Sequence, residues 1–363
     1  MCTKETIKIA NYDDFKCTAD SCKFTCCDGW DVDVDEETYT KWTSGQESSY
    51  ILKHVGKKKR THENRYFIKK RTQDKCPFLD RHGLCNIVKT NGEEYLSLTC
   101  HSFPRIENEF NTRIEKTLSC ACPEVVNMVE FMDNLSWNFN DEEMVLRNTI
   151  IRFMDKKEYT LETRLLMIFR ILSEAQDNKA GISAYEDKEY LDAMAEVFSN
   201  MEDSNEEALE ELNFLFMDII ENYKEVAIME PYLSDISSYS SKLSAAGVMG
   251  AWKSFRQQFQ SYDELMSKYL KVMVYNSCNS SEPEEILGAF QLVFLEYILI
   301  RYAVFLKYSM EDKIEISTQD IKDYIVVFSR VVGNNSEAVY EFIEDGFGSS
   351  VFDLGYLCYI TLF

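Results

Sequence analysis

From about residue 140 onward, apolar residues recur three and four positions apart. Leu161, Leu165, Ile168, Phe169 and Leu172 form one stripe, Leu209, Leu212, Phe216, Ile220 and Tyr223 a second, and Phe255, Phe259, Tyr262, Met266 and Tyr269 a third. A period near 3.6 predicts helices that each bury one face. Ser204 with Glu207 resembles a capping box, and Ser281 followed by Pro283 and Glu284 marks another helix start. The pattern predicts about eight helices joined by short polar loops, with no repeat of fixed period. Two runs are more continuously apolar, residues 286–308 and 351–363. Glu296 and Arg301 interrupt the first, and the second is too short for roughly 30 Å of hydrocarbon, so both are expected to be buried helices and no membrane span is expected.

Residues 1–122 lack this long periodicity. Val32 and Val34 alternate with Asp31, Asp33 and Asp35, which predicts a short strand with the valines inward. The aspartates do not make a calcium loop, because Glu36 stands where glycine is required and Trp42 where a bidentate glutamate is needed. Cys76 to Asp80 and Leu84 to Val88 are brief apolar runs around Arg81-His82-Gly83, a turn signal that predicts a hairpin or tight loop bringing Cys76 and Cys85 together. Near the other end, Glu344-Asp345-Gly346-Phe347-Gly348 looks like an acidic glycine turn of a nucleotide fold. It follows a helical pattern with only 15 residues behind it, so a helix C-cap at Gly346 is expected instead.

Composition divides the chain at the same place. Ten of the 12 cysteines and all four histidines, His54, His62, His82 and His101, lie in residues 1–122. That segment carries 20 Lys+Arg against 19 Asp+Glu, leaving 19 against 43 for the remainder. The boundary is placed at residues 130 and 131. The fold expected is mainly α: a cysteine-rich metal- or cluster-binding N-terminal domain (1–130) with short hairpins and loops, followed by an α-helical domain (131–363). A net charge of -23 repels phosphate backbones, so nucleic acid is not an expected partner. No apolar signal segment opens the chain, and a cytoplasmic location is expected.

In that compartment disulfides are rare, and dense cysteine spacing points to a metal or an iron-sulfur cluster. The spacing is Cys17-x4-Cys22-x3-Cys26-Cys27, then Cys76-x8-Cys85-x14-Cys100 and Cys120-x-Cys122. Thiolates suit both zinc and iron-sulfur centres. Adjacent Cys26 and Cys27 are awkward as two ligands of one tetrahedral zinc, which favours a cluster with zinc as the alternative. The C-x3-C-x2-C spacing of radical enzymes is absent, because Cys22-x3-Cys26 is followed at once by Cys27. His101, beside Cys100, is the histidine expected nearest the metal, directly or as a hydrogen-bonding neighbour. Lys57 to Arg60 and Lys69 to Arg71 form a small basic patch, read as a solvated loop or a contact for an anionic group of a ligand.

At these residues the sequence resembles the bacterial flagellin lysine-N-methylase family. The likeness runs in order through about residues 12–130: Phe15-Lys16-Cys17, Cys22, Cys26-Cys27-Asp28-Gly29-Trp30, Cys76-Pro77-Phe78-Leu79, Leu84-Cys85-Asn86-Ile87, Gly92-Glu93, Leu96-Ser97, Thr99-Cys100, Phe103-Pro104-Arg105 and Ser119 to Glu124. Part of the pattern is shared with zinc- or iron-chelating cysteine-cluster domains. The helical half resembles the family only loosely. The resemblance implies methyl transfer from S-adenosylmethionine to lysine ε-amines of flagellin by a protein carrying a [4Fe-4S] cluster. It implies Cys17, Cys22, Cys26, Cys27, Cys76, Cys85, Cys100 and Cys122 as the metal-site cysteines, with Cys2 and Cys120 extra, and singles out neither a catalytic base nor a donor site. A non-catalytic metal-binding or redox module with a helical docking domain is the alternative.

Overall fold

The computed structural model describes residues 4–28, 32–45, 48–60, 63–70, 75–133, 135, 137, 144–177, 187–201, 205–312, 314–347 and 353–363. All the strands among them lie in the first 118 residues: β1 (Glu5–Lys8), β2 (Asp33–Val34), β3 (Val55–Arg60), β4 (Glu63–Ile68), β5 (Arg105–Glu109) and β6 (Arg113–Leu118). They form two three-stranded sheets, ordered β1-β6-β5 and β2-β4-β3. β1 runs parallel to β6, with Thr6 opposite Ile114, and the other pairs are antiparallel. Val32 and Val34 are buried as their alternation predicted, whereas Asp31 and Trp30 lie outside the described residues.

Short helices fill the gaps: α1 (Glu36–Ser44), α2 (Ser49–Leu52), α3 (Asn86–Asn91), α4 (Leu98–Ser102) and α5 (Pro123–Phe131). Asp35 starts α1 and ties it to α4. Its Oδ1 accepts from the Thr38 amide at 2.8 Å, while its Oδ2 accepts from the Thr38 hydroxyl and the Leu98 amide, each also at 2.8 Å. Asp35→Ala is expected to cost about 1–2 kcal/mol by removing this cap and the α4 link, measurable as a lower urea midpoint. A change within a few tenths of a kcal/mol would show the cap to be dispensable.

Eleven helices follow among the described residues, against about eight expected from the pattern: α6 (Val145–Met154), α7 (Leu161–Gln176), α8 (Lys188–Ser199), α9 (Glu206–Ile220), α10 (Glu230–Ser240), α11 (Ala245–Phe259), α12 (Asp263–Ser277), α13 (Pro283–Met310), α14 (Thr318–Phe328), α15 (Ser336–Phe347) and α16 (Leu354–Thr361). The third stripe is not one helix. A 3-10 turn at Gln260–Tyr262 divides it, so that Phe255 and Phe259 on α11 and Met266 and Tyr269 on α12 can all be buried while both helices pack on α13. α9 starts from Asn205, whose side chain accepts from the Glu207 amide at 2.8 Å; Ser204 lies outside the described residues and Tyr223 lies past the helix end. Gly346 falls inside the last turn of α15, not at a C-cap, and Gly348 is outside the described residues.

α13 is the hub, touching α7, α10, α11, α12 and α14. Among the described residues it is the one helix long and apolar enough to cross a membrane, and 89% of its apolar window is buried by the rest of the protein. Glu296 and Arg301, which interrupt the run, are themselves buried, and Arg301 donates to Glu162 at 3.1 Å and to the Thr361 carbonyl at 2.9 Å. α16 buries one face, Leu357, Cys358, Ile360 and Thr361, and leaves Tyr359 exposed, so the described part of the C-terminal run is buried only in part.

Two hydrophobic cores result. The larger unites the helices with Ile9, Tyr12, Phe15, Phe24, Leu118 and Cys120 from the first 130 residues. The smaller gathers Val32, Val34, Trp42, Ile51, Phe78 and Ile87. A buried charge network also joins sheet to helices. Glu115 on β6 accepts from Arg113 at 2.6 Å and from Arg147 of α6 at 2.7 Å, and Arg147 continues to Asn279 at 3.0 Å.

Candidate functional site

The predicted turn at Arg81 to Gly83 is present. Leu79 bridges Cys85, the Asp80 amide donates to the Leu84 carbonyl at 2.9 Å, and Gly83 takes φ +77°, a left-handed conformation that glycine adopts without a Cβ penalty. Cys85 thereby lands at the start of α3 beside the Cys76 segment. The Cys26-Cys27 loop is tied to the same segment by buried Asp28, whose Oδ1 accepts from the Cys76 amide at 2.9 Å, and Lys70 donates to the Cys27 carbonyl. Cys100 rides on α4, whose N-cap Ser97 accepts from the Cys100 amide at 3.4 Å and whose Leu98 amide donates to Asp35.

These connections bring five of the predicted thiols into one neighbourhood. Cys27 is hydrogen-bonded to both Cys26 and Cys76, and Cys85 and Cys100 are near enough to Cys76 and Cys26 to interact electrostatically. The hydrogen bond from Cys27 holds Cys26 and Cys76 below the ordinary thiol range, against the opposing effect of burial, while Cys27 is pushed far up. Burial lifts Cys100 to about 11. The other three thiols form an adjoining group. Cys122, at the start of α5, interacts with Cys22 and Cys17, and burial lifts it to about 11. Cys22, also raised by burial, feels Cys26, which links the two groups.

Arg330 lies fully buried between this loop and the helices. A π-helical turn, Ser329–Gly333, follows α14 and carries it. Its guanidinium donates to the carbonyls of Ala121 and Thr25, each at 3.0 Å, and of Phe24 at 3.2 Å. It stacks over Phe24 and exerts an attractive field on Cys26, Cys122 and Cys22. The side chain thus fixes the backbone of the first cysteine loop and favours thiolate charge there. Sequence reading missed it. Its signal is a lone cation in the apolar run Ile325 to Val332.

Of the other expectations, His101 is exposed on α4, His54 packs edge-on against Phe78, and His82 is exposed beside Arg81, so none of these histidines joins the thiols; His62 is outside the described residues. In the basic patch, Lys57 and Lys58 lie over the rings of Tyr66 and Phe67, whereas Lys70 reaches the cysteine loop. Cys120 is fully buried, near Tyr269 and Glu296, and Cys278 and Cys358 are buried in the helical core. Among the described residues, no three His, Cys, Asp or Glu side chains already converge as a metal site. In donor chemistry the set does fit zinc or an iron-sulfur cluster, with soft ligands from four segments, two of them biased toward thiolate.

The model of the FliB lysine N-methylase C-terminal domain matches residues 147–360. The family signal therefore includes the helical half, which the motif reading had found only loosely similar. Flagellar biosynthetic protein FliU of Salmonella muenchen is 30% identical over 158 residues, 40% of this chain and 90% of that protein. The lysine-N-methylases of Salmonella typhimurium and Salmonella choleraesuis are each 32% identical over 119 residues, 32% of this chain and 30% of theirs. The alignment thus spans less than a third of the length of those two relatives. No solved structure matches.

Proposed function

Since the chain belongs to the FliB lysine N-methylase family, we propose that it is a protein-lysine N-methyltransferase that moves methyl groups from S-adenosylmethionine to the lysine ε-amines of flagellin. The observation that carries this reading is the family match across residues 147–360, to which the lysine-N-methylase relatives add a named reaction. The decisive experiment offers purified full-length protein flagellin and the methyl donor and looks for +14 Da steps on lysine. Verified donor binding with every flagellin lysine unmodified would remove the flagellin assignment. Absence of both donor binding and any methyl acceptor would favour the metal-binding or redox module instead.

The second part of the proposal is a [4Fe-4S] cluster on the cysteines of residues 1–130, ahead of the helical part at 131–363. Cys26, Cys27, Cys76, Cys85 and Cys100 are its nearest candidates, and Cys17, Cys22 and Cys122 adjoin them. Bound there, a cluster would supply a redox centre and a covalent anchor for loops that are far apart in sequence. Anaerobically purified protein is expected to be brown, with iron and sulfide near four atoms each per chain. Zinc alone in colourless protein from iron-replete cells would replace the cluster with the zinc alternative. Cys26→Ser and Cys27→Ser are each expected to lower metal content and solubility, whereas Cys278→Ser and Cys358→Ser leave metal content unchanged. Full retention of metal in both loop variants would show the adjacent pair to be structural.

A further inference from the structure

On the other side of the π-helical turn from the cysteine loop, a cleft of about 240 Å³ runs down between α12, α13 and the turn. Met273, Leu292, Val293 and Val332 give it a mainly apolar lining, with Asn276 and Ser277 as polar neighbours. Gly333 and Asn334 form an exposed rim, and Glu296 of α13, 1% exposed, lies at depth. We infer that this cleft receives a primary ammonium group on an extended aliphatic stem, the acceptor lysine, and that Glu296 takes its proton. The inference rests on the methyltransferase reading for the reaction, but not for the binding of the ammonium.

Three observations carry it. First, no cation among the described residues pairs with Glu296, although a carboxylate so deeply buried normally has one. Its hydrogen-bond partner is the Tyr269 hydroxyl, which also lies 3.2 Å from the Ser329 hydroxyl. Second, the other carboxyl oxygen lies against Gly333 in the cleft lining, where any larger residue would crowd it. A Cβ there would stand 3.2 Å from Glu296 Oε1 and 3.3 Å from Met273 Cε. Third, a mainly apolar lining whose one charged group is a carboxylate matches the lysine side chain, four methylenes ending in one charge. The groups facing Glu296 are Tyr269, Ser329 and the Cys120 thiol, none of them cationic.

The same surroundings suit the proton transfer. Burial lifts the Glu296 carboxyl to about 8, which narrows its gap from an amine, and the apolar walls lower the amine in turn. The ammonium gives one proton to the Glu296 carboxylate and becomes a neutral amine. The nitrogen lone pair then forms the N–C bond as the C–S bond of a sulfonium donor breaks, its electron pair staying on sulfur. The products are a thioether and a methylated ammonium.

The test uses the full-length protein with two substitutions, Glu296→Gln and Gly333→Ala, and n-butylamine as the stem-and-ammonium probe. n-Butylamine is expected to raise the melting temperature of the unsubstituted protein and to do so in neither variant. Methyl transfer to flagellin should fall by about 100-fold or more in Glu296→Gln with donor binding intact. The rise of kcat/KM with pH below about 8 should also disappear in that variant. Gly333→Ala, which keeps the carboxylate, guards against a folding defect and should lose probe binding through steric closure. Probe binding and turnover indifferent to both substitutions would overturn the assignment and leave the methyltransferase reading standing. Probe binding that depends on Glu296 in a protein that methylates nothing would support the ammonium site and remove the reading of the reaction.

Discussion

Arg330→Met is expected to destabilise the protein by about 3–5 kcal/mol and to speed alkylation of the half-buried Cys22 thiol. Replacing a buried ion with an apolar side chain of similar length can be neutral where two opposite charges leave together. Here the guanidinium's hydrogen-bond acceptors are the backbone carbonyls of Phe24, Thr25 and Ala121, and they stay behind. Phe24 and Ala121 are buried, so their carbonyls would lose a donor without gaining water, at about 1–3 kcal/mol each. The bonds also join residues more than 300 positions apart in the chain, from the π-helical turn to the first cysteine loop. Losing them should therefore loosen that loop before the helices melt. A urea midpoint and alkylation rates matching those of the unsubstituted protein would show that the loop is held by other contacts.

How much of this could be read from sequence follows from the range of the interactions. The stripes of α7 and α9 are local consequences of burial on one face, and a period of 3.6 reveals them. The turn between Cys76 and Cys85 is equally local, written in Arg81-His82-Gly83. The division of α11 from α12 was hidden because the apolar spacing runs straight through Tyr262, and the break is set by how two helices share α13. The thiols were legible as a set but not as two adjoining groups, since Asp28, Lys70 and the link from Asp35 to α4 arrange them. Glu296 stood out as a charge within an apolar run, and Arg330 stands in another that the sequence reading passed over. In a helix buried all round, a charge implies either an internal partner or a ligand, and which one applies is decided only in three dimensions. Arg301 has Glu162 and the Thr361 carbonyl. Arg330 has the loop carbonyls, and Glu296 has a tyrosine and the cleft.

That contrast makes Glu296→Gln an expected gain in stability as well as a loss of activity. The Glu296 carboxyl sits at about 8 when folded, because burial penalises its charged form. In the unfolded chain it titrates near the ordinary glutamate value of about 4.3. A raised carboxyl favours the folded state only while it is protonated in both states, so its cost begins as pH rises past about 4.3 and grows until about 8, where it levels off. At pH 7 the penalty amounts to about 3–4 kcal/mol. Glutamine keeps an oxygen for the Tyr269 hydroxyl and carries no charge to desolvate. The variant should therefore come within about 1 kcal/mol of the unsubstituted protein near pH 4.5 and exceed it by about 3–5 kcal/mol at pH 7 to 8, as measured by urea unfolding across that range. Tyr269 and Cys120, pushed well above their ordinary values by burial, stay protonated throughout this window and do not confuse the comparison. A difference that did not change with pH would mean that Glu296 is compensated within the fold. A gap that widens with pH, together with lost turnover, is the mark of a carboxylate kept at a cost to stability for the ligand it meets.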